Sequence, residues 1–212
     1  MTIAEWHDAT IGGRVVEALK KNGFEAVYFP HRQEAVKFVL DFVAPGMSVG
    51  LGGSATIKQL GIPEQAREKG ADILDHGQPD LSPEEKQDVR RRELVCDLFL
   101  SSANAITLDG CLVNVDGNGN RVAALSFGPK KVIVVAGVNK ICHDIDAAFE
   151  RISTYAAPMN NKRLGLANPC TTTGVCMNCD SKSRICRIYS VIKKRPMSTD
   201  FTVVLVGESL GY

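Results

Sequence analysis

Four cysteines fall within one short stretch, as Cys170-x5-Cys176-x2-Cys179-x6-Cys186, directly after Asn168-Pro169. Thiolates are soft ligands, and four of them together are the donor set that an iron–sulfur cluster or a zinc ion takes. The spacing does not choose between the two, because it matches neither the common zinc ribbon nor the bacterial ferredoxin run. Free thiols or a redox disulfide are the competing reading of the same residues. Lys182, Arg184, Arg187, Lys193, Lys194 and Arg195 surround the cysteines. They would offset the charge of four thiolates, or form an ordinary solvated surface. Cys96, Cys111 and Cys142 lie in apolar segments and read as small core residues.

A second chemistry is carried by glycine. The run Gly50-Leu-Gly52-Gly53-Ser54-Ala-Thr56 follows a strand-like segment and opens a helix-like one. Turns of this kind at the carboxyl end of a parallel sheet are where ligands bind. Glycines let the backbone approach a ligand, and N–H groups at a helix start, with the Ser54 and Thr56 hydroxyls, can hold an anion. Tight packing alone is the other use of such a turn.

The third concentration of polar groups is Asn104-Ala-Ile-Thr107-Leu-Asp109-Gly-Cys-Leu-Val-Asn114-Val-Asp116-Gly-Asn118-Gly-Asn120-Arg121. Asp-Gly and Asn-Gly are hairpin turn signals, which accounts for part of the pattern. Beyond the turns, Asp109 and Asp116 are candidate general bases, and Arg121 could clamp an anionic group. Asn104, Thr107, Asn118 and Asn120 complete the set of candidate ligand contacts. The histidines do not cluster in sequence.

These segments must be positioned by a folded body. Helical and strand signals alternate, which predicts an α/β fold with a layered, mostly parallel sheet. Residues 4–21 carry apolar positions at helical spacing and stop at Asn22-Gly23. Residues 24–29 read as a strand, 31–43 as a helix, and 47–51 as a buried strand. Ser82-Pro83-Glu84-Glu85 is a helix-start signal with a capping box, followed by a strand near Cys96–Ser101. The run Lys131–Gly137 is the clearest buried strand, and 144–156 is helical. Residues 201–207 give a final strand, so the cysteine segment is an insertion before the last strand. We divide the chain into a body (1–156), a cysteine-rich module (157–196) and a returning strand (197–212), because residues 157–173 are poor in large apolar groups.

Bulk properties exclude several classes. With 25 basic against 24 acidic residues the formal net charge is +1, which gives no support to nucleic-acid binding. The N-terminus carries charges throughout and is not a secretory signal. The longest apolar run, Val132–Val138, is far short of the roughly 20 residues of a membrane span. The chain therefore reads as cytoplasmic and reduced, without membrane insertion. Self-association is left open.

Several blocks carry a family resemblance: Gly50 to Ile62, Asn104 to Val122 with Phe127-Gly-Pro-Lys130, Gly137-Val-Asn-Lys140, and Leu205-Val-Gly-Glu208-Ser-Leu-Gly-Tyr212. Together they resemble the lactate-utilization (LUD) domain family over nearly the whole chain, and the cysteine segment is similar to that of its stand-alone members. The resemblance implies a fold like that of sugar-phosphate isomerases and coenzyme A transferases, whose glycine-rich turn cradles phosphate or a coenzyme. The transferases of this fold use a glutamate in a glycine context, for which Glu208 in Val-Gly-Glu-Ser is the candidate. The resemblance also implies a role in oxidising L-lactate to pyruvate beside iron–sulfur partner subunits. No Gly-x-Gly-x-x-Gly dinucleotide fingerprint is present.

Three functions are therefore expected in competition. The first is a lactate-utilization subunit that binds a small anionic metabolite and holds a cluster at Cys170, Cys176, Cys179 and Cys186. The second is an isomerase- or transferase-like enzyme for phosphates or coenzyme A esters, with Asp109 or Asp116 moving a proton. The third is a non-catalytic sensing or scaffold subunit with a structural zinc. Whether the chain catalyses anything alone is open at this level.

Overall fold

A computed structural model describes all 212 residues. Six parallel strands form the central sheet: β1 (Glu25–Phe29), β2 (Ser48–Leu51), β3 (Asp72–Leu74), β4 (Leu98–Ser101), β7 (Lys131–Gly137) and β10 (Asp200–Val206). Their spatial order is β1-β10-β7-β4-β2-β3. The expected α/β architecture with a mostly parallel sheet is the one observed.

Side-chain alternation along the strands feeds two apolar layers. Val132, Val134 and Ala136 of β7, with Phe99, Phe201 and Val203, face helix α1 (Ile3–Lys21) and helix α6 (Asn120–Ser126). Ile133, Val135, Leu98 and Val204 face the other way, against α2 (Arg32–Leu40), α3 (Ala55–Gln59) and α4 (Ile62–Glu68). Burial on both faces is why these strands read as continuous apolar runs. Helix α5 (Pro83–Glu93) begins at Ser82 with both halves of the capping box formed.

A smaller sheet lies beside this body. Strands β5 (Ala105–Thr107) and β6 (Leu112–Asp116) form the expected hairpin around Asp109-Gly110. The sheet is completed by β8 (Ile141–Cys142) beside β5 and by β9 (Ile188–Ile192) beside β6. Strand β9 was not foreseen from sequence; it stitches the cysteine segment into the body through a register from Leu112↔Ile192 to Asp116↔Ile188. The outer face of this sheet packs Ala105, Val113 and Val115 on Ala148, Ile152 and Ala157.

Those last three residues belong to one continuous helical run. It comprises α7 (Ile145–Arg151), a π-helical stretch (Ile152–Ala156) and α8 (Ala157–Arg163). The composition change near residue 157 thus falls inside a helix that carries the chain onward. A short α9 (Cys170–Thr173) follows. No helix is long and apolar enough to cross a membrane.

Candidate functional site

A cavity of about 440 Å³ opens at the carboxyl ends of the parallel strands, where the rule for such sheets places ligands. Five of the six strand exits contribute, that of β1 being the exception. The Gly52–Ala55 turn comes from β2, His76 follows β3, Ser101 and Ser102 end β4, and Lys140 follows β7. The far wall is Asn160 and Arg163 of α8, with Tyr212 from the segment after β10. Six basic side chains line this cavity, Lys58, Lys86, Arg90, Arg121, Lys140 and Arg163, against a single carboxylate, Asp116. Lys58 pairs with Asp75 and Arg121 lies beside Asp116, while Lys86, Arg90 and Arg163 have no carboxylate partner, so the cavity keeps an excess of positive charge in a chain of net charge +1.

The glycine-rich turn is built for close approach. Gly53 has φ 68°, in the left-handed region that favours glycine. A Cβ at Gly52 would come 2.8 Å from Ser101 Oγ and 3.2 Å from Arg121 Cδ. Ser54 caps α3, its Oγ accepting the Ile57 N–H at 3.2 Å. Thr56 is buried behind the turn, donating to the Leu210 carbonyl at 3.3 Å.

The hairpin residues divide. Asn104, Asp116, Asn118, Asn120 and Arg121 line the cavity. Thr107 and Asp109 do not. They bond to each other at the opposite end of the strand pair, where Asn22 donates to the Asp109 carbonyl at 2.8 Å. Their turn chemistry explains them, and Asp109 has no route to a ligand in the cavity. Glu208 also lies outside the lining, because its carboxylate accepts the Arg32 backbone N–H at 2.7 Å and pairs with the Arg32 guanidinium.

Arg121 is a tether rather than a free clamp. Its Nη1 donates to Asn114 Oδ1 at 2.7 Å and the Ser102 carbonyl at 3.2 Å. Its Nη2 donates to the Val115 carbonyl at 2.6 Å and Asn104 Oδ1 at 3.0 Å. Asp116 lies 3.9 Å from Nε, and its carboxylate also accepts the Gly117 and Val122 N–H groups at 2.7 and 3.1 Å. Both charges hold the hairpin to the start of α6 while presenting an edge to the cavity.

The four cysteines converge on a second, small cavity of about 10 Å³, roughly the space of one water. Cys170 and Cys186 are buried, and Cys176 and Cys179 are half-buried. Burial pushes the Cys186 thiol up to about 11 and raises Cys170, with the other cysteines adding to both shifts. The loops are held from several sides. Arg184 donates to the carbonyls of Cys179 at 2.7 Å and Cys186 at 2.9 Å, and Asn168 donates to Asn161 Oδ1 at 2.6 Å and the Ser183 carbonyl at 3.0 Å. The Asn178 N–H approaches Cys176 Sγ at 3.4 Å, the type of bond that supports a ligating sulfur. The donor set suits a soft metal, although no three ligand side chains are drawn into a ready-made coordination group. Cys186, Ile185 and Ala157 line both cavities, so the cysteine segment is a wall of the larger cavity rather than a separate appendage.

The LUD domain family profile matches residues 13–206. The chain belongs to the lactate-utilization (LUD) domain family. Among solved structures, a DUF162 family protein from Deinococcus radiodurans superposes with a TM-score of 0.51 at 14% identity, covering 94% of this chain and 98% of that one. The eIF2B beta subunit of Chaetomium thermophilum aligns with a TM-score of 0.38 at 15% identity, over 54% of this chain and 44% of that one. No curated protein sequence matches the chain.

Two features of this LUD-domain protein escaped the sequence reading. Lys140 is the only lysine among its buried residues, with Nζ 3.0 Å from both Thr56 Oγ1 and Ser102 Oγ and no carboxylate in salt-bridge range. Burial, then the charges of Arg151 and Arg121, bring its pKa down to about 7. The second is His76, whose Nδ1 lies 2.7 Å from the buried carboxylate of Glu93, which Asn120 Nδ2 also approaches at 3.4 Å. The signal available for both was position, since His76 and Lys140 each sit just past the carboxyl end of a parallel strand.

Proposed function

We propose that this LUD-domain protein is a lactate-utilization-type protein whose cavity binds a small anionic metabolite bearing a carboxylate or phosphate. The observation that carries the reading is the six-to-one excess of basic side chains in the 440 Å³ cavity, in a chain that is otherwise nearly neutral. Two buried donors on the wall, Arg90 Nε and Tyr212 OH, lack a protein partner and are suited to a ligand oxygen. The volume lies within the range of about 300–1,000 Å³ that accommodates small ligands.

Within this reading Gly52, Gly53 and Ser54 supply backbone and hydroxyl contacts, Asn104, Asn118 and Asn120 add polar contacts, Arg121 holds the hairpin that carries them, and Asp116 is the candidate base. Cys170, Cys176, Cys179 and Cys186 hold an iron–sulfur cluster, with zinc as the alternative. A cluster there would supply one-electron transfer, in company with iron–sulfur partner subunits. The cysteines' shared wall with the ligand cavity favours a redox role over a remote structural one.

Thermal unfolding against a panel of L-lactate, pyruvate, inorganic phosphate, sugar phosphates and acyl-coenzyme A tests the pocket. At 100 times its dissociation constant a ligand stabilises the fold by about 2.7 kcal/mol. Stabilisation by the hydroxy or oxo acids supports the lactate-type reading. Stabilisation by sugar phosphates or acyl-coenzyme A alone transfers support to an isomerase- or transferase-like enzyme. A flat response across the panel removes the anion site.

A further inference from the structure

Lys140 has no structural partner that requires a charge. Its ordinary counterparts do: Lys58 pairs with Asp75 at 3.3 Å, Lys130 with Asp97 at 2.7 Å and Lys131 with Asp200 at 2.8 Å. At Lys140 the neighbours are two neutral hydroxyls, and the nearby ionic groups are the guanidiniums of Arg151 and Arg121. This setting favours a neutral amine with a free lone pair, at a pH where exposed lysines remain protonated. The side chain is fixed as well as neutral. It leaves the 3-10 turn Val138–Lys140 directly after β7, and that turn is tied to the chain end by Asn139 Oδ1, which accepts the Leu210 N–H at 3.0 Å. A desolvated, positioned amine on the floor of a cationic cavity is the arrangement that covalent catalysis by lysine uses.

We infer that Lys140 forms an imine with a small aldehyde or ketone whose carboxylate or phosphate is held by the basic cavity wall. This rests on the reading of the cavity as an anion site and names the reactive part of its ligand. The neutral Nζ attacks the carbonyl carbon, and the carbonyl π electrons move to oxygen, which takes up a proton. The resulting carbinolamine loses that oxygen as water while the C=N bond forms; the two protons of this water are the two that Nζ gives up, the first on addition and the second relayed to the leaving hydroxyl through Ser102 or Thr56 Oγ. No electrons are gained or lost overall: amine and carbonyl give imine and water. The anionic group of the substrate, held by the basic side chains that line the cavity, orients the carbonyl toward Nζ.

The test is reductive trapping on the full-length protein at neutral pH. The probes are pyruvate, 2-oxoglutarate, glycolaldehyde phosphate and glyceraldehyde 3-phosphate, each with sodium cyanoborohydride, read by intact mass and peptide mapping. The expected result is a single adduct on Lys140, heavier by the probe mass less one oxygen, suppressed by excess inorganic phosphate and absent in Lys140→Arg. Because the site is mapped in the unmodified sequence, the result does not depend on that variant folding. Adducts spread over exposed lysines, or absent from Lys140 with every probe, overturn the inference. If the probes raise the unfolding temperature yet leave Lys140 unlabelled, the imine is excluded and the anion site stands. If they neither stabilise nor label, both fall.

Discussion

The guanidinium of Arg121 is consumed by the fold: its four terminal hydrogen bonds go to Asn114, Asn104 and the carbonyls of Ser102 and Val115. Replacing it with methionine leaves several of these acceptors unpaired, so Arg121→Met should lower stability by about 3 kcal/mol in urea unfolding. Arg121→Lys should recover little of it, because one ammonium cannot reproduce the planar fork. Lys140 acts in the opposite sense. Its pKa falls from 10.5 to about 7 on folding, so between those values the unfolded chain binds a proton that the folded chain does not. Stability therefore gains a contribution that increases as pH rises from about 7 toward 10.5. Calorimetry of the protein and of Lys140→Met across that window should show a flatter pH profile in the variant. An arginine in a polar hairpin looks like a ligand clamp in sequence, and a lysine after Val-Asn looks like surface. Only the tertiary neighbours reverse the two, and those neighbours are dispersed along the chain.

At the level of elements, more was legible. The strand Lys131–Gly137, the hairpin at Asp109-Gly110, the Ser82 capping box and the final strand were all readable, because each rests on local chemistry or a long apolar run. Strand β9 was not, since Ile188–Ile192 is short, borders cysteines and basic residues, and gains its identity from pairing with β6. The π-helical stretch at Ile152–Ala156 likewise has no sequence signal of its own. In the proposed site the Gly52 turn is the element that a ligand would approach. Gly52→Ala would press a methyl on Ser101 Oγ and the Phe99 ring at 2.8 and 3.1 Å. Displacing the turn should weaken binding of whichever anion stabilises the parent protein, by about tenfold or more, while the far-UV spectrum is preserved. Titration calorimetry with that anion checks it.

For the molecule as a whole, the charge concentration and the cysteine cavity make separate predictions. Anion affinity should fall as ionic strength rises from about 0.01 M to 0.15 M, where the Debye length shortens to about 8 Å. Protein prepared without oxygen from iron-supplied cells should contain iron and acid-labile sulfide and be brown. One tightly held zinc would instead select the structural alternative, and a metal-free colourless sample would leave the cysteines as thiols. The three residues common to both cavities, Ala157, Ile185 and Cys186, carry a consequence for how such a protein can change over generations. A partition one side chain thick cannot be remodelled on one side only. Substitutions that reshape the ligand cavity will be non-additive with those that reshape the cysteine cavity. New ligand specificities should therefore arise through paired replacements across this wall, with single replacements passing through less fit intermediates.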